Sequence, residues 1–234
     1  MLSPLARQRQ QAKQQRATAT HSVVAVASQS LHVLLAELEN DERALKGLAR
    51  IDEKVEHKRS VLIPKYKPHV EEYLAKGENY RNPLLGKMVI WLFDTEDLET
   101  AIAWCDKAIE QGLETGFKRD FAHFCADSTL AWAEKMAANG HSIEPYFSQV
   151  FEKVRTKWRL KEKPTAKWFK FAGIHLLRDS NGVPRPAAVG DLETLNQSLA
   201  LLIEANNQYD KIGVGDKINR VKARISALTT GKNL

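Results

Sequence analysis

Apolar positions between residues 31 and 59 step alternately by three and four: Leu31, Leu34, Leu38, Leu45, Leu48 and Val55, with Asp41 and Asp52 in the same register. This is a heptad seam on a helix whose other faces are charged. Polar residues at seam positions can fix register and oligomer number at a cost in stability. The pattern predicts one long helix that self-associates, with Leu31, Leu34, Leu38, Asp41, Leu45 and Leu48 at the contact. The plainer alternative is an amphipathic helix lying on its own domain.

A second organised stretch runs from Leu84 to Leu113. The apolar segment Leu84–Phe93 is followed by Asp94-Thr-Glu-Asp97, then by a helix with Leu98, Ala101, Ile102, Cys105, Ala108 and Ile109 on one stripe. Asp94 or Thr95 is placed to cap this helix, the first-turn acids suit its dipole, and Gly112 suits its end. The prediction is a helical hairpin around an acidic break.

The remaining pattern is also helical. Pro64 and Pro68 interrupt the long helix, and Pro68 suits the first turn of a short helix through Val70 and Tyr73. Further helices are expected at 119–138, from a Ser142 cap through Ile143, Phe147, Val150, Val154 and Trp158, and from Trp168 to Leu177 after Pro164. A loop at 179–186 precedes two helices with Leu192, Leu195, Leu199 and Leu202, then Ile218, Val221, Ile225 and Leu228; Asp216 could cap the second. With no sustained alternation, the fold class is all-α, with stacked α-hairpins of tetratricopeptide-like type but no strict repeat. The expected division is a flexible basic arm at 1–30, an oligomerisation helix at 31–63, a central domain at 64–178 and a C-terminal hairpin at 187–234.

Charge changes this picture. The net charge is +6, but Arg7, Arg9, Lys13 and Arg16 lie in residues 1–36 without an acid, and residues 153–170 hold eight Lys or Arg against Glu162. Those segments carry +4 and +7, which is +11 against a net +6, so the rest carries −5. Concentrated positive charge on a mildly acidic body points to a polyanionic partner. Basic side chains at Lys157, Arg159, Lys161, Lys163 and Lys167 are candidates to neutralise phosphates, together with the four cations of the arm. Trp158, Trp168, Phe169 and Phe171 could stack on bases, although aromatics so spaced suit a core. Lys217, Arg220 and Arg224 form a smaller patch that reads as a solvated face.

The chemistry that the residues offer is sparse. No run of eighteen apolar residues predicts a membrane span, and the polar start has no signal-peptide core. Cys105 and Cys125 fit buried helix faces rather than a disulfide framework, which suits a reducing cytoplasm. Asp94, Glu96, Asp97 and Glu99 are the candidate hydrolytic carboxylates, but acids in a first turn are also what capping predicts. Thr230-Gly-Lys232 has neither the strand nor the helix of a phosphate loop, and the scattered histidines form no metal set. No catalytic residue, metal site or cofactor is assigned.

Trp91, Asp94, Asp97, Ala101, Ala108 and the closing Gly112-Leu113 resemble the central signature of the small terminase subunit family of P-two-like tailed bacteriophages. A Ser3-Pro4 start before a basic arm, Asp41-Glu-Arg-Ala-Leu-Lys46, and Leu176-Leu177-Arg178-Asp179 follow the same order. Glu114-Thr115-Gly116 stands where the family often has Met-Pro. The resemblance implies a homo-oligomer larger than a dimer, arranged as a ring. It implies binding of double-stranded phage DNA at the packaging start site, and direction of a large subunit that carries the ATPase and nuclease. It also implies action in the host cytoplasm, not as a virion component. Relatives carry an endonuclease label, so a subunit that itself cuts DNA is the enzyme-class alternative. A helical scaffold that binds peptides and no DNA is the third.

Overall fold

A computed structural model describes residues 31–179 and 181–231, which contain α-helices, short turns and no β-strand. The expected arm, with Arg7, Arg9, Lys13 and Arg16, lies outside the described residues. The chain divides into two compact units, one up to His57 and one from Lys58.

In the first unit, α1 (Leu31–Gly47) and α2 (Ile51–His57) replace the single long helix expected from the seam. The break has local causes. The Arg50 N–H donates to the Glu53 carboxylate (3.4 Å), and Asp52 and Glu53 occupy the first turn of α2, where the dipole favours acids. Asp52 is thus a first-turn acid paired with Arg50 (2.7 Å), not a seam residue. Of the seam, Leu34, Leu38 and Leu45 are buried, Leu31, Asp41 and Leu48 are half-buried, and Leu48 falls in the break.

The second unit is built around α4 (Pro83–Asp94). Leu84, Leu85, Gly86 and every residue from Met88 to Phe93 are buried, so this helix is covered on nearly all sides. Its cover comes from α3 (Ile63–Ala75), α5 (Leu98–Glu110) and α6 (Phe121–Ala138). The α5 stripe is as predicted, with Ile109 half-buried and Trp104 added to the buried set. A five-residue π-helical turn (Lys58–Leu62) precedes α3. Pro68 lies inside α3 rather than in its first turn. The carbonyl it cannot bond belongs to Pro64, one turn earlier, so the cost falls at the helix start.

The hairpin is tied at both ends. At the open end the Asn82 side chain accepts from the Leu84 N–H (3.1 Å), and the Asn82 N–H donates to Gln111 Oε1 (3.1 Å). Gln111 in turn meets the Tyr73 hydroxyl of α3. At the acidic break the Asp97 N–H donates to the Leu92 carbonyl (2.9 Å). The cap of α5 is Asp97, which accepts from the Thr100 N–H (3.2 Å), and not Asp94 or Thr95. Thr95 instead turns its hydroxyl back to the Trp91 carbonyl (2.9 Å) and closes α4.

Cys105 of α5 and Cys125 of α6 are joined as a disulfide, and both are fully buried. This corrects the expectation of two unbridged thiols: the two buried stripes pack face to face and bring the cysteines together. The compartment argument drawn from them falls with it.

Beyond α6, Ser142 makes a turn by accepting from the Glu144 N–H (3.1 Å), and α7 begins only at Tyr146 and ends at Thr156. Next come α8 (Glu162–His175), α9 (Leu192–Gln208) and α10 (Gly215–Thr230). Pro164 sits in the first turn of α8, where a missing N–H costs nothing, so the helix starts before it. Gly173 allows α8 and α9 to approach closely: a Cβ there would lie 2.9 Å from Leu202 Cγ. Ser198, fully buried, uses the gap to donate to the Gly173 carbonyl (2.8 Å). Ala166 and Leu177 of the α8 region share one cluster with Leu195, Leu202 and Val221, so the C-terminal pair is seated on α8. Asp216 lies in the first turn of α10 and pairs with Arg220 (3.0 Å) rather than capping.

Asp106 of α5 joins the hairpin to the segment after α7. It accepts from Lys153, from Lys157 (3.1 Å) and from Trp158 Nε1 (3.0 Å). Burial pushes its carboxyl up, but those three bonds outweigh burial and hold it below the ordinary carboxylate value. The stabilisation is therefore complete above the ordinary value of about 4 and is lost as pH falls through the lowered one. Asp106→Ala is expected to cost about 2 kcal/mol at pH 7, the scale of hydrogen bonds to a charged group. Urea unfolding checks this, and the difference from the parent should shrink in acid; an equal loss at both pH values contradicts it.

Candidate nucleic-acid interface

The basic segment 153–170 is not one helix. The N–H groups of Lys157 and Trp158 both donate to the Lys153 carbonyl (2.8 and 2.7 Å), which closes α7, and α8 starts at Glu162. Trp158 turns inward toward Asp106 and is buried. The segment's cations therefore sort into two groups. Lys153 and Lys157 are turned to Asp106, and Arg155 pairs with Glu152 (3.5 Å) over the Phe151 ring. Arg159, Lys161, Lys163 and Lys167 are exposed and form no ion pair among the described residues. Of the five cations expected in this run, Lys157 is the one that the fold engages internally.

Two of these, Lys163 and Lys167, line a groove of about 780 Å³ between α6 and α8, and Arg159 and Lys161 precede them in the chain. Its lining holds Arg119, Lys163, Lys167, Lys170 and Arg178 against Asp127 and Glu134, five cations to two acids. Arg119 pairs with Asp127. Lys170 donates to the Ile212 carbonyl (2.8 Å), and burial, then the nearby Lys217, push its amine below the usual value. Arg178 donates to the Ala137 carbonyl (3.2 Å). The loop before α8 is pinned by the Lys161 N–H, which donates to His123 Nε2 (3.1 Å), while His123 Nδ1 lies 2.9 Å from Asp120.

Arg119 comes from distant sequence and reaches this run only through packing, whereas Arg178 follows α8 directly and is brought back to the groove by the turn after it. Lys170 lay in the run but was not singled out. The aromatics take the core role: Trp168 and Phe171 are buried, with Phe147 stacked on Trp168 at 5.2 Å. They hold the basic run in place, while Phe169 is half-buried against Phe151 (5.2 Å). In the smaller patch, Arg220 pairs with Asp216, and the Arg224 Nε–H donates to the Val189 carbonyl (3.0 Å).

The acidic break is arranged differently. Asp94 pairs with Lys58 (2.6 Å), Asp97 with Lys67 (3.2 Å) and Glu96 with Lys135 (3.1 Å), so each carboxylate meets a lysine from a different element. Glu96 adopts φ +62, a left-handed conformation that turns the chain from α4 to α5. Burial pushes the Asp97 carboxyl up, but bonds from Thr100 and then Lys67 hold it lower than usual. Among the described residues no three His, Cys, Asp or Glu side chains are grouped to share a metal ion. Asp94→Asn loses the pair with Lys58, and Asp97→Asn loses the pair with Lys67 but keeps a capping side chain; each is expected to lower stability by at most about 1 kcal/mol, the scale of a part-exposed ion pair, and to leave DNA cleavage by the assembled complex intact. Thermal melts and a cleavage assay check this; lost cleavage with unchanged folding and assembly would restore an endonuclease role.

Comparison with known proteins bears on residues 35–163, which match the family described as phage small terminase subunit. This span takes in the acidic break and the start of the basic groove. A relative named "Probable terminase, endonuclease subunit", from Haemophilus phage HP1 (strain HP1c1), is 38% identical over 209 residues. The alignment covers 88% of this chain and 74% of that protein. No solved structure matches. A family match over more than half of the chain, joined by this relative, places it: the chain belongs to the phage small terminase subunit family.

Proposed function

We propose that this terminase subunit binds double-stranded phage DNA through the basic groove between α6 and α8, assisted by the arm cations Arg7, Arg9, Lys13 and Arg16. The observation that carries the reading is the group Arg159, Lys161, Lys163 and Lys167, exposed and without ion pairs among the described residues, two of which line the groove with Arg119, Lys170 and Arg178. Cations held in salt bridges have already been neutralised, whereas these remain available to displace counterions from phosphates. With base-stacking aromatics buried, the contact is to the backbone and positions rather than reads the sequence. Self-association through α1 to an oligomer larger than a dimer, arranged as a ring, and delivery of DNA to a large ATPase/nuclease subunit complete the role. It acts in the host cytoplasm and not as part of the virion. The relative's endonuclease name keeps DNA cutting as the second reading; the pairing of Asp94, Glu96 and Asp97 with separate lysines supports a structural role for them instead.

Changing Arg159, Lys161, Lys163 and Lys167 to Gln is expected to flatten the dependence of log K on log salt by up to about 3.6 per subunit engaged. The fall in affinity should be similar for specific and non-specific duplexes. Fluorescence anisotropy across a salt series measures the slope. Light scattering should show an unchanged oligomer for this variant and a smaller one for Leu38→Asp, which puts an unpaired charge in the α1 seam. An unaltered slope removes the groove from the DNA contact, and full mass for a folded Leu38→Asp makes the seam internal core.

A further inference from the structure

Helix α10 and the segment before α9 enclose a second groove, of about 1110 Å³, which is above the roughly 300–1,000 Å³ of most small-molecule sites. It shares no lining residue with the groove between α6 and α8. Its walls are small apolar side chains: Pro184, Pro186, Ala187 and Ala188 on one side, Ala223 and Ala227 of α10 on the other. Ala187, Ala188 and Ala223 are exposed. Both walls are fixed. The Arg185 N–H donates to the Leu177 carbonyl (2.8 Å), and Pro186–Ala188 form a 3-10 turn. The Arg224 Nε–H reaches across from α10 to the Val189 carbonyl (3.0 Å). A groove already held in shape loses little freedom on binding.

The charge of the groove has one sign. Arg185, Arg220 and Arg224 line it, and no acid does. Arg224 is bonded to a neutral carbonyl and keeps its charge. Arg220 pairs with Asp216, but those side chains are 70% and 74% exposed, and a pair so exposed is screened by salt and readily exchanged. Arg185 meets Asp179 only at 3.4 Å and is itself mostly exposed. Along α10, Lys217, Arg220, Lys222 and Arg224 stand against Asp216, four cations to one acid.

We propose that this groove docks an acidic amphipathic helix of a partner protein. Small side chains on both walls let a second helix approach closely. The apolar stripe of that helix lies along Ala223 and Ala227, and its carboxylates meet Arg185, Arg220 and Arg224, whose planar guanidinium groups suit carboxylates. Apolar walls select against a duplex, because phosphates are held by cations and polar groups and gain nothing from alanine and proline. Charge selects against the chain's own residues 1–30, which hold four cations and no acid.

The test uses the full chain and two fluorescein-labelled helical peptides. One carries Leu at i, i+3, i+4 and i+7 with Glu on the flanks, and the other has Lys in place of Glu. Anisotropy should show the acidic peptide bound and the Lys peptide at least about tenfold weaker. Ala223→Trp fills the groove from an exposed position, and Arg220→Glu reverses the sign of an exposed side chain. Each should weaken the acidic peptide by about tenfold or more and leave duplex binding unchanged. Arg220→Glu carries the test if circular dichroism shows Ala223→Trp unfolded. The proposal is overturned by an acidic peptide that does not bind, by a Lys peptide that binds as well, or by undiminished binding to either folded variant. Displacement of the peptide by a short duplex also overturns it, by making the groove a DNA contact. A loss of oligomeric mass in Ala223→Trp does so too, by making the occupant a second copy of the chain.

Discussion

Helix α4 sets the terms for the rest of the second unit. A segment that is apolar on all faces cannot lie on a surface, so other helices must sheathe it. Trp91 and Leu92 are covered as fully as Leu84 and Leu85, and this needs helices on several sides at once. The sheath is then locked by polar ties at the two ends of the α4–α5 hairpin. The acidic break is the stronger of these, because Lys58, Lys67 and Lys135 reach it from the π-helical turn, α3 and α6. These pairs are part-exposed, so each contributes at most about 1 kcal/mol, and it is their convergence from three elements that fixes the break.

That constraint also shapes the electrostatics. Asp94, Glu96 and Asp97 are spent on Lys58, Lys135 and Lys67, and Asp106 takes Lys153 and Lys157 out of the basic run. What remains outside is a set of cations, Arg159, Lys161, Lys163 and Lys167, that form no ion pair among the described residues. The positive groove is thus a product of where the negative charge has been used. The same Asp106 contact seats Trp158, which closes α7 and turns the chain so that α8 presents Lys163 and Lys167 on one side of the groove.

Much of this was legible in the sequence, and the misses have physical causes. The α5 stripe and the all-α class follow from periodicity, because burial of one helix face imposes it directly. The resemblance carried by Trp91, Asp94, Asp97 and Gly112 led to the family. Helix ends were less legible. Asp97 rather than Asp94 caps α5, because the left-handed turn at Glu96 moves the start by a few residues. The seam at 31–59 concealed a break, since heptad spacing continues through Leu48 while Asp52 and Glu53 restart the helix. The disulfide and the recruitment of Arg119 to the groove arise from packing between segments separate in sequence, which no local pattern encodes. The arm lies outside the described residues, so its cations stay with the proposal.

Lys58 and Lys67 are paired with the acidic break, whereas the unpaired cations at the start of α8 are the proposed contact to DNA. Lysine acetylation with and without duplex DNA, read residue by residue by mass spectrometry, tests it most directly. DNA should protect Lys161, Lys163 and Lys167 several-fold and leave the slow labelling of Lys58 and Lys67 unchanged. Binding that leaves Lys161, Lys163 and Lys167 as reactive as before would contradict it.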